Sequence, residues 1–272
     1  MTRAFAIPGA GLLRTLVSRR TLLYQMVRRD FEQRFIGSAA GWLWGLIHPL
    51  VLLLSWTFVF QWCLRTRPPR DGLTQNYTIF LFCGYLPWML FQETVQRSTN
   101  ALIEHSNLIT KTLFPSELVP VSIFLSALAS HLMALVLVFG MILAWGGPLS
   151  PMALWLPLYM LLLGMMAVGL GWIFSALQVY LRDTAQVVIV ALTGWFWLTP
   201  VFIDERLYPQ RVRFLLTWNP MAYLVRAYRE RLLSPDWPAP AELGVLCLFA
   251  LAAFIVGGLL FKHLKNGFAD VL

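Results

Sequence analysis

Residues 118–145 read LVPVSIFLSALASHLMALVLVFGMILAW, twenty-eight positions without one Asp, Glu, Lys or Arg. At about 1.5 Å per residue, a helix of this length reaches across the roughly 30 Å hydrocarbon core of a bilayer. The apolar residues are continuous, not alternating, which argues against a strand of a membrane barrel. In lipid every backbone amide must find its partner inside its own segment, so the stretch predicts a membrane-spanning helix.

Working outward, five more segments have the same character: residues 42–64, 77–96, 153–181, 185–203 and 242–261. The whole chain agrees with them. It has 272 residues, 58% hydrophobic and only 12% charged, against about 25% charged in a soluble domain. The predicted fold is an all-α integral membrane protein of six transmembrane helices over residues 41–272. Residues 1–40 form a separate cytoplasmic or interfacial segment ahead of it. Those 40 residues hold no long apolar core, so no cleavable signal peptide is expected.

The net charge of +8 invites a nucleic-acid reading, but seven of the 21 Lys and Arg precede the first apolar run. That is the placement of a cytoplasmic flank, so no nucleic acid is expected as a partner. Six spans then return the C-terminus to the cytoplasm. The three cysteines, Cys63, Cys83 and Cys247, lack ligand spacing and read as small core residues, so no metal site is expected.

Between spans, three segments are unusual. Across residues 12–35, Leu13, Leu16, Val17, Leu23, Tyr24, Val27 and Phe31 share one helical face, into which Arg20 and Arg34 intrude. A helix in the membrane interface and a helix packed on protein both fit this pattern. Residues 204–237 contain short apolar pieces punctuated by proline. They predict re-entrant outer helices between spans five and six, with Pro200, Pro209 and Pro220 as candidate gate positions. The third segment, SNLITKTLFP at residues 106–115, carries a capping Ser106 or Asn107 and a terminating Pro115. Its Leu108, Ile109, Leu113 and Phe114 suit either a docking surface or packing on the chain's own bundle.

The motifs RFIGSAAGWLWGLIHP (34–49), LPWMLFQETVQRSTNALIEHSNLITKTLFP (86–115), YLRD (180–183), LTPVFI (198–203) and WNP (218–220) occur in this order. Together they resemble the membrane subunits of type-2 ABC exporters, in particular permeases exporting O-antigen, capsule or teichoic acid. The first motif departs from the usual Arg-Tyr-x-x-Ser-x-Leu-Gly. The resemblance implies export of a lipid-linked polysaccharide across the inner membrane by a homodimer working with two ATPase subunits. It also implies that residues 106–115 form the coupling helix, with Asn107, Leu108, Lys111, Phe114 and Pro115 meeting the ATPase. Other classes consistent with the chain are an ABC exporter of lipid or drug and an ion-driven flippase.

No G-x-x-x-x-G-K-[ST] loop is present, so ATP and Mg are expected on the partner and no cofactor on this chain. Ionisable candidates for an ion-driven mechanism are Glu93, His131 and His48. Among 12 tryptophans, Trp195 and Trp197 with Phe196 are candidates for a glycan path; an interfacial aromatic belt is the alternative. Arg211 and Arg213 are candidate contacts for the phosphate at the lipid–glycan junction, or for anionic headgroups.

Overall fold

The computed structural model describes residues 18–34, 41–66, 73–111, 114–145, 147 and 149–271, and these are helical with connecting turns. Helix α1 is Arg20–Gln33. Helix α2 begins at Trp44–Thr57 and continues through π-helical turns at Phe58–Cys63. Helix α3, Tyr77–Glu104, leads through His105 into the short α4, Ser106–Lys111. Helix α5 is Leu118–Ala144. A 3₁₀ segment, Pro151–Trp155, opens α6, Leu156–Tyr180. Helix α7 is Thr184–Leu198, α8 Phe214–Thr217, α9 Pro220–Leu233, α10 Pro240–Leu264 and α11 Phe268–Val271.

Among the described residues four helices are long and apolar enough to cross a membrane: Trp44–Cys63, Leu118–Ala144, Pro151–Tyr180 and Pro240–Gly267. The first three of them pack on a further helix. Helix α3 starts at Asn76, whose Oδ1 accepts from the amides of Thr78 and Ile79, at 2.9 and 3.4 Å. Nineteen of its residues are buried, and α2, α5, α6, α7 and α9 all pack on it. It is the core of the molecule.

Helices α6 and α10 pack most extensively. A Cβ on Gly257 would lie 2.1 Å from the Gly169 carbonyl oxygen, and one on Gly169 would lie 2.3 Å from that of Ala253. Only glycine permits this backbone approach, a small-residue seam of the kind that joins helices in lipid.

Two boundaries and one helical face differ from expectation. The sequence bounds one span at residues 77–96, yet α3 continues to Glu104, with Glu93 and Arg97 paired inside the protein. The segment expected over 185–203 is helical only to Leu198. Thr199 is extended (φ −95°, ψ 136°), as the proline that follows demands. In α1 the partly buried stripe is Leu22, Leu23, Met26, Val27, Asp30, Phe31 and Arg34, whereas Tyr24 is exposed. This helix lies against α5 of its own chain. Its expected apolar residues Leu13, Leu16 and Val17 fall outside the described residues.

Candidate translocation and coupling sites

The non-helical stretch after α7 is held by side chains at nearly every carbonyl. Asn219 Nδ2 donates to Leu198 O at 3.4 Å and to Thr199 Oγ1 at 3.1 Å. Arg229 donates through Nη1 to Pro200 O at 2.7 Å and through Nη2 to Val201 O at 2.5 Å. Tyr77 Oη donates to Phe202 O at 3.0 Å. Irregular backbone within a membrane bundle requires such satisfaction, since no water replaces a missing partner.

Arg229 is 5% exposed. Its Nε also donates to Phe80 O at 3.2 Å, and its guanidinium lies 3.7 Å from the Phe80 ring centroid. Room for it is left by Gly84, where a Cβ would sit 2.4 Å from Nη2. The WNP motif acquires a local reason here. Asn219 caps α9 by accepting from Met221 N at 3.0 Å, and Pro220 occupies the first turn, where its missing N–H costs nothing. The same Asn219 Oδ1 accepts from Trp195 Nε1 at 2.8 Å, tying α7 to α9.

Of the three consecutive aromatics, Trp195 and Phe196 are partly buried and Trp197 is exposed. Trp195 packs edge-on against Phe91, centroids 5.1 Å apart. Phe196 lies 5.3 Å from Trp88 and 5.3 Å from Phe202. Trp197 stacks on Phe202 at 5.3 Å. Trp56 meets both Tyr85 (4.7 Å) and Phe202 (5.0 Å), so rings from α2, α3 and α7 form one continuous cluster.

The six arginines between residues 206 and 231 divide into different environments. Arg229 and Arg231 are buried. Arg226 is paired with Glu205 and Glu242. Arg213 donates to Tyr208 O at 3.0 Å and Arg206 O at 2.7 Å, and both it and Arg211 are exposed. Pro209 lies between two 3₁₀ turns, Glu205–Leu207 and Gln210–Val212.

At the opposite end of α3 the ionisable residues meet. Arg34 Nη1 reaches Glu93 Oε1 at 2.5 Å and Ser130 Oγ at 3.3 Å, and Arg97 Nη2 reaches Asp30 Oδ1 at 2.5 Å. Arg34 intrudes on the apolar face of α1 because Glu93 awaits it there. Burial opposes ionisation of Asp30, but the hydrogen bond from Arg97 and the charges of Arg97 and Arg34 together hold its carboxyl below the usual carboxylate range. The spacings Asp30/Arg34 and Glu93/Arg97, each four apart, were the available sequence signal for this cluster. His131, another ionisable candidate, is fully buried with its Nε2 3.2 Å from Tyr228 Oη.

In the proposed coupling segment, α4 packs against both α3 and the terminal α11. Asn107 is exposed, Phe114 is partly buried against the core, and Pro115 O accepts from Leu118 N at 2.9 Å. Leu113 lies outside the described residues. Glu117 binds Lys265 at 2.5 Å, while its carbonyl accepts from Trp172 Nε1 at 3.0 Å. Among the described residues no cluster suited to a metal ion occurs.

The fold and these sites define an integral membrane protein of packed apolar helices. The chain belongs to the ABC-2 type transporter family, whose model matches residues 21–233. It is 27% identical over 261 residues to an O-antigen export system permease protein RfbA of Myxococcus xanthus, covering 95% of this chain and 98% of that protein. A Klebsiella pneumoniae protein of the same name is 26% identical over 92% of this chain and 95% of its own length. The polysialic acid transport protein KpsM of Escherichia coli is 22% identical over 86% of this chain and 90% of that protein. The chain is a transport permease, not an enzyme.

Proposed function

We propose that this chain is the permease subunit of an ATP-driven exporter that moves a lipid-linked cell-surface polysaccharide across the inner membrane. The observation carrying this is the end-to-end similarity to O-antigen export permeases, over 95% of this chain and 98% of the Myxococcus protein. ATP and Mg are bound by a separate ATPase that seats on Asn107, Leu108, Lys111, Phe114 and Pro115.

In this reading six helices cross the bilayer: the four apolar ones, α3 and α7. Helix α3 carries Glu93 and Arg97, yet it is enclosed by other helices and both charges are paired, which removes the usual objection to charge at membrane depth. Helix α7 has 15 residues, about 22 Å, and its span is completed by the anchored stretch that follows. Helix α9, with 14 residues, is re-entrant. Residues 1–40 are interfacial, residues 41–272 form the transmembrane domain, and both termini are cytoplasmic.

Two copies form the path at a two-fold axis, because one such bundle encloses little space. The half-buried aromatic cluster ending in Trp195, Phe196 and Trp197 lines it. Pro200, Pro209 and Pro220 bound the outer gate, in which the Pro200 end is fixed by Arg229 and residues 203–217 move. Arg211 and Arg213 meet the phosphate.

The test is reconstitution with and without the ATPase encoded beside the gene, in a strain making the corresponding glycan. Export should require that ATPase, and the assembly should contain two copies of the 31.0 kDa chain by native mass measurement. Export that continues without any ATPase and stops with an uncoupler would overturn the proposal in favour of an ion-driven flippase.

A further inference from the structure

A cavity of about 480 Å³ opens between α1, the first turns of α2, α3 and α5, at the end of α3 that leads into α4. Ligand pockets occupy roughly 300–1,000 Å³. Its lining mixes polar side chains with rings and apolar groups, including Trp44, Tyr85 and Met89. The charges in and behind the lining cancel: Arg34 is paired with Glu93 and Arg97 with Asp30. A free anion or cation therefore gains little there. Two polar side chains of the lining, His48 and Gln96, make no hydrogen bond among the described residues, and His48 is exposed. Trp44, on the rim, is 50% exposed. A lining of balanced charge, with spare amide and imidazole groups beside an exposed ring, suits an uncharged polyol. Its hydroxyls bond the polar groups and its C–H face covers the ring.

We infer that this cavity is a binding site for a sugar ring, entered from the α4 end. Resting on the polysaccharide-permease reading, the assignment makes this the place where the glycan first engages the permease. Tyr85 lines the cavity and touches Trp56, so a bound ring would adjoin the aromatic cluster that continues to Phe202.

A photo-crosslinking amino acid placed at Trp44 in the full transporter, in cells making the glycan, tests this. A second version at Met89 guards against misfolding of the first, and one at the exposed Leu248 of α10 is the control. The expected result is a glycan-bearing adduct at Trp44 or Met89 and none at Leu248. It should be absent in cells lacking the glycan's glycosyltransferases. The paired change His48→Ala and Gln96→Ala, which touches no internal hydrogen bond, should lower it about tenfold. An adduct that persists without glycan synthesis is a bilayer lipid and overturns the assignment. So does an adduct untouched by the paired change. Capture only at Trp197, with none at Trp44 or Met89, rejects the cavity and leaves the permease reading standing. Normal glycan export in cells deleted for this chain rejects that reading itself.

Discussion

Arg229 illustrates how one residue can decide whether a membrane segment tolerates irregular backbone. An arginine at the centre of a spanning helix costs roughly 2.5–3.5 kcal/mol on insertion scales. Here the charge is offset by three carbonyls and a ring face. Replacing it, Arg229→Met, leaves the carbonyls of Phe80, Pro200 and Val201 without these donors. Phe80 O keeps its helical partner, so two groups lose their donor, and at about 1–3 kcal/mol for each buried unsatisfied group the loss should reach at least about 2 kcal/mol. Thermal unfolding of the detergent-purified protein checks it. Gly84→Ala should act in the same direction by pushing the guanidinium away, since the new Cβ would lie 2.4 Å from Nη2. An unchanged melting temperature in both variants would remove Arg229 from this role.

At the scale of elements, Asp30, Arg34, Glu93 and Arg97 tie α1 to α3. The carboxyl of Asp30 titrates lower in the folded protein than in the unfolded chain. Its contribution is therefore complete above the ordinary aspartate value of about 3.9 and is lost as pH falls through the depressed value. Asp30→Asn should lower stability at neutral pH and shrink the difference between melts at neutral pH and in strong acid. Equal melts of variant and parent at neutral pH would show that the pair contributes nothing. The coupling segment raises a different issue, because Phe114, proposed to dock the ATPase, is partly buried on the core. Phe114→Asp should abolish co-purification of the ATPase while membrane insertion survives. Recovery of an intact complex would contradict the coupling role.

For the whole molecule, the question is whether the aromatic cluster is a route or a belt. Trp195 is a poor probe, since its indole bonds Asn219 and its loss would loosen the cap of α9. Trp197 is exposed and, among the described residues, makes ring contacts and no hydrogen bond. Trp197→Ala should leave expression and basal ATPase activity intact while lowering export of long glycan several-fold, given about 0.5–1.5 kcal/mol per aromatic contact. Unchanged export at equal expression assigns the ring to an interfacial belt.

Membrane residence and helical class were legible in residues 118–145 and their counterparts, because long uncharged runs leave the backbone one way to satisfy itself in lipid. The proline-broken segment and the short helix at residues 106–111 were legible too, from capping residues and from Pro115 and Pro200. What the linear pattern could not show was which polar residues serve which others. Arg229 counted as one more outer positive charge, yet its partners are carbonyls 28, 29 and 149 residues away. Arg34 looked like an intrusion into an apolar face and Glu93 like an ionisable candidate for an ion-driven mechanism, and they are one ion pair joining α1 to α3. Hydrophobic periodicity reports which face of a helix avoids water. Pairing of buried charges depends on which faces meet, and that was decided only when α3 was enclosed by its neighbours.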